Sequence, residues 1–340
     1  MKSWRIFFMR HKRNYFILLG GSLLFCVLIS ALSLALGNIA FSASELFGFF
    51  LGKGDTVGRN ILLYSRLPRT VACLFAGAGL SVSGAVLQNV LANKLASPSI
   101  IGVNSGAGLG VTVCCACGVL SGIGVSVCAF VGSLFAVLII SLFSSRISAS
   151  KTTVILGGVA LNSILGAASE AITVLNPEAA MLTTEFRVGG FSAVSFTRLI
   201  PSAIMIAAAL LLIFTLSNEL DAVSLGDETA RSIGLSVRKY RILFLVISAL
   251  LAGAAVSFAG LLGFIGLIVP HFVRKLAGNE SRRLLPLCTV MGAGFVCLCD
   301  LASRLVFAPY ELPVGILMAV IGGPVFVALL VRTKGGKRHA

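Results

Sequence analysis

SRLPRTVACLFAGAGLSVSGAVLQNVLANKLASPSIIGVNSGAGLG, residues 65–110, decides what kind of fold this chain can adopt. Residues 69–91 are an apolar run whose lone formal charge, Arg69, sits at its start. About 20 mostly apolar residues suffice to cross the ~30 Å hydrocarbon core of a bilayer as a helix. A polar break holding Lys94 follows, and a second run begins near residue 99. The same alternation continues in both directions. Ten such stretches, at 15–37, 69–91, 99–120, 123–145, 152–175, 198–218, 240–259, 263–277, 285–307 and 314–331, predict an all-α polytopic membrane protein. The stretch 263–277 is short and holds Pro270, so a kinked or partial span is expected there. The first is too long, and too clearly followed by further spans, for a cleaved signal peptide.

Composition agrees. Of 340 residues, 57% are hydrophobic and 11% charged, against about 25% charged in an ordinary soluble domain. The mean hydropathy is +1.03. A soluble globule cannot hide that much apolar surface. A soluble enzyme, a disordered chain and a nucleic-acid-binding domain are thereby excluded. The formal charge of +15 would otherwise suggest nucleic acid.

The positions of the basic residues explain that charge. With the N-terminus in the cytoplasm and strict alternation, 20 of the 27 Lys and Arg fall in inside segments. The remaining seven are Lys53, Arg59, Arg66, Arg69, Arg187, Arg198 and Arg304. The positive-inside rule then places both termini in the cytoplasm. The layout is a basic segment 1–14, a single transmembrane domain 15–331 and a basic tail 332–340. Contact with anionic lipid at the cytoplasmic face is a secondary consequence.

Residues 77–84 read GAGLSVSG and residues 253–260 read GAAVSFAG. Gly77, Ala78, Ser81 and Gly84 align with Gly253, Ala254, Ser257 and Gly260. Small residues three and four apart let helix backbones approach closely. The two segments lie an odd number of spans apart, so they cross in opposite directions, the pattern of an inverted repeat.

The longest polar connector is 218–239, with DAVSLGDETARSIGLSVRKY from Asp221 to Tyr240. Asp227 and Glu228 mark a helix start, and Gly234 marks its end. It reads as a solvated connector or as a docking knob for a cytoplasmic partner. Cys115 and Cys117 form a C-x-C in an apolar helix without nearby His or carboxylate. Packing and a metal or redox site both remain open, packing being favoured.

No G-x-x-x-x-G-K-[ST] phosphate loop occurs, and no protease constellation. The chain is therefore not read as an enzyme. Glu170 and Asp300 are the ionisable residues that could couple a secondary transporter to an ion gradient.

Four strings together resemble one family: the Ser65–Gly110 stretch, LGDETARSIGLSVRKYR (225–241), GLLGFIGLIVPHFVR (260–274) and ELPVGILMAVIGGPVF (311–326). They resemble the FecCD-type permeases of ATP-driven (ABC) importers for iron–siderophores, haem and cobalamin. The resemblance covers nearly the whole chain from the first span onward. It implies ten spans with both termini inside, and spans two to five related in inverted fashion to spans seven to ten. It also implies a second permease copy or paralogue, two cytoplasmic ATPase subunits and an external substrate-binding protein. This chain would then bind no cofactor and no metal, since ATP and Mg are used by the partner ATPase. The place would be a bacterial cell membrane.

Residue roles follow from the same resemblance. Arg66 and Arg69 in RLPRT, with Arg304, match arginines that pair with carboxylates on the binding protein, and exposed guanidiniums suit such contacts. Asp227, Glu228, Ala230, Arg231 and Gly234 fall on the coupling helix that seats in the ATPase. Asn93, Lys94 and Leu95 stand where the family commonly has N-P-L, part of a cytoplasmic gate. Lys94 replaces the proline, which is expected to loosen the turn. Ser150 and Lys151 belong to a second gate element. Gly260–Pro270 is expected to be an irregular link between spans seven and eight. The substrate order is siderophore, then haem, then cobalamin. The alternative of another class is the ion-coupled secondary transporter.

Overall fold

The computed structural model describes residues 2–37, 39–52, 55–119, 121–146, 151–306 and 308–335, and these are all-helical with irregular links. Within a bilayer a helix satisfies its own backbone, which is why long apolar runs adopt it. α1 (Lys2–Ala35) is followed by α2 (Ala43–Phe50), α3 (Thr56–Asn60) and a π-helical stretch, Ile61–Arg66. That stretch runs directly into α4 (Leu67–Val90). Next come α5 (Val103–Ala116), α6 (Gly122–Arg146), α7 (Lys151–Leu175), α8 (Pro177–Val188) and α9 (Phe196–Thr215). The connector holds α10 (Ser217–Ser224) and α11 (Asp227–Ser232). α12 (Val237–Ala259), α13 (Ile265–Ala277), α14 (Ser281–Leu305) and α15 (Val314–Gly335) complete the chain.

Seven segments are long and apolar enough to cross a membrane: Tyr15–Ala35, Thr56–Val90, Gly122–Leu142, Thr152–Leu175, Phe196–Thr215, Val237–Ala259 and Ser281–Leu305. Val103–Ala116 and Val314–Ala328 are shorter apolar helices. The 13 residues of α13 span only about 20 Å at 1.5 Å per residue.

α4, α12 and α14 are buried over most of their length, whereas α1, α6, α7 and α9 turn most of their surface outward. Small residues make the centre possible. A Cβ on Gly77 would collide with the Gly292 carbonyl of α14, and one on Gly84 with the Gly266 carbonyl of α13. α4 lies against α14 at Gly77, and α12 lies against α6 at Gly253 and Ser133. Hydroxyls add short bonds between helices. Ser81 Oγ donates to the Cys288 carbonyl at 2.6 Å, and the Ser83 and Ser248 hydroxyls meet at 2.6 Å.

The link after α12 is shorter than expected. Gly260 leaves the helix at φ 70° and Phe264 turns the chain at φ 65°, after which α13 begins at Ile265. Pro270 therefore lies inside α13, not in the link. Its pyrrolidine removes one helical donor, a loss a buried helix tolerates when neighbours pack around it.

Candidate functional site

The bundle has two polar ends. One carries α10 and α11 and is called the connector end. At the far end, α4 begins and α14 finishes.

At the far end the structure corrects the expectation of three exposed arginines. Arg66, Arg69 and Arg304 are 6, 9 and 4% exposed. Arg66 donates to the carbonyls of Leu34 and Ala35 at 2.7 and 2.8 Å, and also to that of Ile39. Its guanidinium lies 4.4 Å from the centroid of the Phe41 ring. Arg304 donates to Ser33 Oγ at 2.7 Å and to the Leu36 carbonyl at 3.3 Å. The last carbonyls of a helix have no intrahelical partner. The end of α1 supplies such carbonyls, and two arginines fill them. That is the physical reason they are buried.

Arg69 and Arg304 share a carboxylate. Arg69 Nε donates to Asp300 Oδ1 at 3.0 Å, and Arg304 Nε lies 3.1 Å from Asp300 Oδ2. Arg69 Nη1 also reaches Glu311 at 2.7 Å. Two cations and two carboxylates thus neutralise one another. Asp300 is fully buried between its two guanidiniums, an arrangement that suits joining helices more than ferrying protons. Glu170 lies on the outward face of α7.

Beside Arg69 opens a cavity of about 500 Å³. Arg69, Arg198, Glu185 and Glu311 bring charge to its lining, beside Phe186 and Pro313. Its wall is irregular backbone stitched by hydrogen bonds. Gly190 N–H donates to the Ala259 carbonyl, Leu261 N–H to that of Phe186 and Gly315 N–H to that of Gly189. Of the three predicted arginines, only Arg69 reaches this cavity.

At the connector end, α4 stops where Ala92 takes a positive φ of 47°. Asn93 Oδ1 then accepts the Leu95 N–H at 2.9 Å. This side-chain turn closes the Asn93–Lys94–Leu95 corner. Lys94 itself is exposed. Ser150 lies outside the described residues, and Lys151 opens α7.

In the connector, Asp227 accepts both Arg241 bonds, at 2.7 and 2.9 Å. Ala230 is fully buried, so its side chain seats α11 against the bundle and is not offered to a partner. Glu228, Arg231 and Gly234 are exposed. Sequence reasoning missed two residues beside them: Leu225 and Ile233, 70 and 62% exposed. Apolar residues presented on a polar connector were the available signal. It also missed Asp221. That carboxylate accepts from the Ser281 backbone N–H at 3.1 Å and from Ser281 Oγ at 2.6 Å, at the start of α14.

Among the described residues no group of His, Cys, Asp and Glu could hold a metal ion. The cysteines Cys115 and Cys117 are free thiols. The arrangement contains helix-joining charge clusters, a far-end cavity and a connector with exposed apolar residues.

The family model described as the FecCD transport family matches residues 23–332. The chain is 32% identical over 324 residues to the hemin transport system permease protein of Yersinia pestis, covering 94% of this chain and 96% of that one. It is 36% identical over 290 residues to the vitamin B12 import system permease protein of Klebsiella pneumoniae, covering 82% and 84%. A solved ABC transporter in an inward-facing conformation superposes with a TM-score of 0.83 at 28% identity, covering 92% of this chain and 98% of that one. With most of its length matched in sequence and in three dimensions, this multi-pass bacterial membrane protein belongs to the FecCD transport family.

Proposed function

We propose that this chain is the permease subunit of an ABC importer that takes up a bulky iron chelate, with a siderophore ahead of haem and cobalamin. The observation that carries the reading is the family match across residues 23–332. The connector end faces the cytoplasm, where 20 of the 27 basic residues then lie. Ten crossings use α1, α4, α5, α6, α7, α9, α12, α13, α14 and α15, with both termini inside. The exchange of partners, α4 on α14 and α12 on α6, supports an inverted repeat of spans two to five on spans seven to ten. Residues 15–331 then form one permease domain between basic ends.

Two ATPase subunits serve the permease pair, one of them docking on this chain's connector 218–239, where Glu228, Arg231 and Gly234 are joined by Leu225 and Ile233. ATP and Mg belong to that partner. A second permease copy or paralogue covers the outward apolar faces of α7 and α15, which include Leu156, Ile164 and Val320. An external binding protein docks at the far end around the Arg69–Glu311 pair and its cavity. Arg66 and Arg304 support that rim by holding the end of α1. The Asn93–Leu95 corner, with Ser150 and Lys151, forms the cytoplasmic gate.

The test is uptake in proteoliposomes holding the chain, its ATPase and its binding protein. Ferric hydroxamate, haemin and cobalamin are offered with ATP. Accumulation of at least one, ferric hydroxamate first, is expected. Accumulation of none overturns the reading.

A further inference from the structure

α4 and α14 run antiparallel and are joined at three levels. At the far end Arg69 grips Asp300 at 3.0 Å. In the middle Gly77 meets Gly292 backbone to backbone, and Ser81 Oγ donates to the Cys288 carbonyl at 2.6 Å. At the connector end Asn89 Nδ2 donates to Ser281 Oγ at 3.0 Å. α13 is tied to the same end, because Arg274 donates to Asn89 Oδ1 at 2.8 Å, to Gln88 Oε1 and to the Ala85 carbonyl at 3.3 Å. Sliding α4 past α14 would break all three levels and leave buried polar groups unpaired. The pair is therefore stiff over the length of α4, roughly 36 Å for its 24 residues.

One carboxylate fastens the connector to this pair. Asp221 on α10 accepts the Ser281 N–H at 3.1 Å and the Ser281 hydroxyl at 2.6 Å. A negative charge on a helix N-terminus is held by charge-assisted bonds as well as by the helix dipole. The same Ser281 hydroxyl receives Asn89, so a single oxygen joins connector, α14 and α4. α10 is one residue pair away from α11, the segment offered to the ATPase. α4 runs on into the Asn93–Leu95 corner, where Asn93 N–H bonds back to the Gln88 carbonyl at 3.1 Å.

We propose that α4 and α14 move as one bar, and that Asp221, through Ser281, Asn89 and Arg274, is the joint by which the connector drives it. Asp221 is a positioning residue: it touches neither the chelate nor nucleotide. Displacement of the connector is delivered to the cytoplasmic corner at one end of the bar and to the Arg69–Asp300–Glu311 rim at the other. This deepens the importer reading and rests on it.

The experiment compares the wild-type complex with Asp221→Asn, Ser281→Ala and Asp221→Glu in proteoliposomes, using whichever of ferric hydroxamate, haemin and cobalamin the wild type accumulates. Chelate taken up and ATP hydrolysed are read on the same vesicles, and assembly by gel filtration. Asp221→Asn is expected to lower chelate moved per ATP by at least about fivefold. Ser281→Ala gives a smaller loss of the same kind and covers the case in which Asp221→Asn is not recovered. Asp221→Glu restores part of the ratio. Variants that lose assembly and both rates in proportion, or that keep the wild-type ratio, overturn the joint while the importer reading stands. A wild type that moves none of the three chelates overturns the importer reading and the joint with it.

Discussion

Asp300 sits without solvent contact between Arg69 and Arg304, and Glu311 completes the charge balance. Removing one member of a buried pair costs about 3–5 kcal/mol, because the other charge stays behind uncompensated. Asp300→Ala is therefore expected to lower unfolding stability in detergent by up to that amount, because it leaves Arg69 with Glu311 as its one carboxylate and Arg304 with its bonds to Ser33 and Leu36. Asp300→Asn, which keeps hydrogen-bond acceptance, should lose less. Chemical unfolding of the purified variants checks both; since each removes the charge, equal losses would show that hydrogen-bond acceptance at this position adds nothing to it. In the sequence Arg69 and Arg304 were visible as charges at span ends and Asp300 as an ionisable residue within a span. Their burial was not. A count of charges outside the spans cannot tell a guanidinium facing a partner from one that caps the carbonyls of α1 thirty residues earlier in the chain. Ala230 failed for the complementary reason: a small residue on a short helix carries no signal of which face it shows.

At the scale of elements, α4 is held by contacts that no larger side chain permits. Gly77→Ala places a Cβ on the Gly292 carbonyl, a backbone atom that cannot step aside. The expected cost is about 1–3 kcal/mol, typical of overpacking. Gly166→Ala inside α7, where nothing lies within 4 Å, should instead raise stability by about 0.5–1 kcal/mol. Thermal unfolding of the pair of variants separates close packing from a generic glycine effect. The connector offers a second prediction. Leu225→Asp with Ile233→Asp changes two exposed side chains, so folding should persist while ATPase binding falls at least tenfold, measured by co-purification. Retained binding would move the docking surface elsewhere. The helices themselves were legible in the apolar runs, because a bilayer demands both length and hydrophobicity. The start of α13 was less so. The Gly260–Pro270 stretch looked irregular from its glycines and proline, yet tertiary packing lets Pro270 sit inside the helix and confines the link to residues before Ile265.

For the whole molecule, the +15 charge and the 57% hydrophobic content describe one arrangement: apolar helices with basic residues gathered at the connector end. The strings at 65–110, 225–241, 260–274 and 311–326 that carried the family resemblance fall on the α4 corner, the connector, the turn into α13 and the far-end rim. What stayed hidden was the wiring between them. Asp221, Ser281 and Asn89 are ordinary residues far apart in sequence, and only the packing of α4 on α14 brings them together. The central claim is that ATP hydrolysis by a separate subunit drives uptake through this chain. The direct test is chelate uptake into proteoliposomes of the full complex, with ATP on the connector side and the proton gradient collapsed by an ionophore. Uptake that requires ATP and ignores the ionophore is the predicted result. Uptake that needs no ATP and follows the proton gradient would contradict the account.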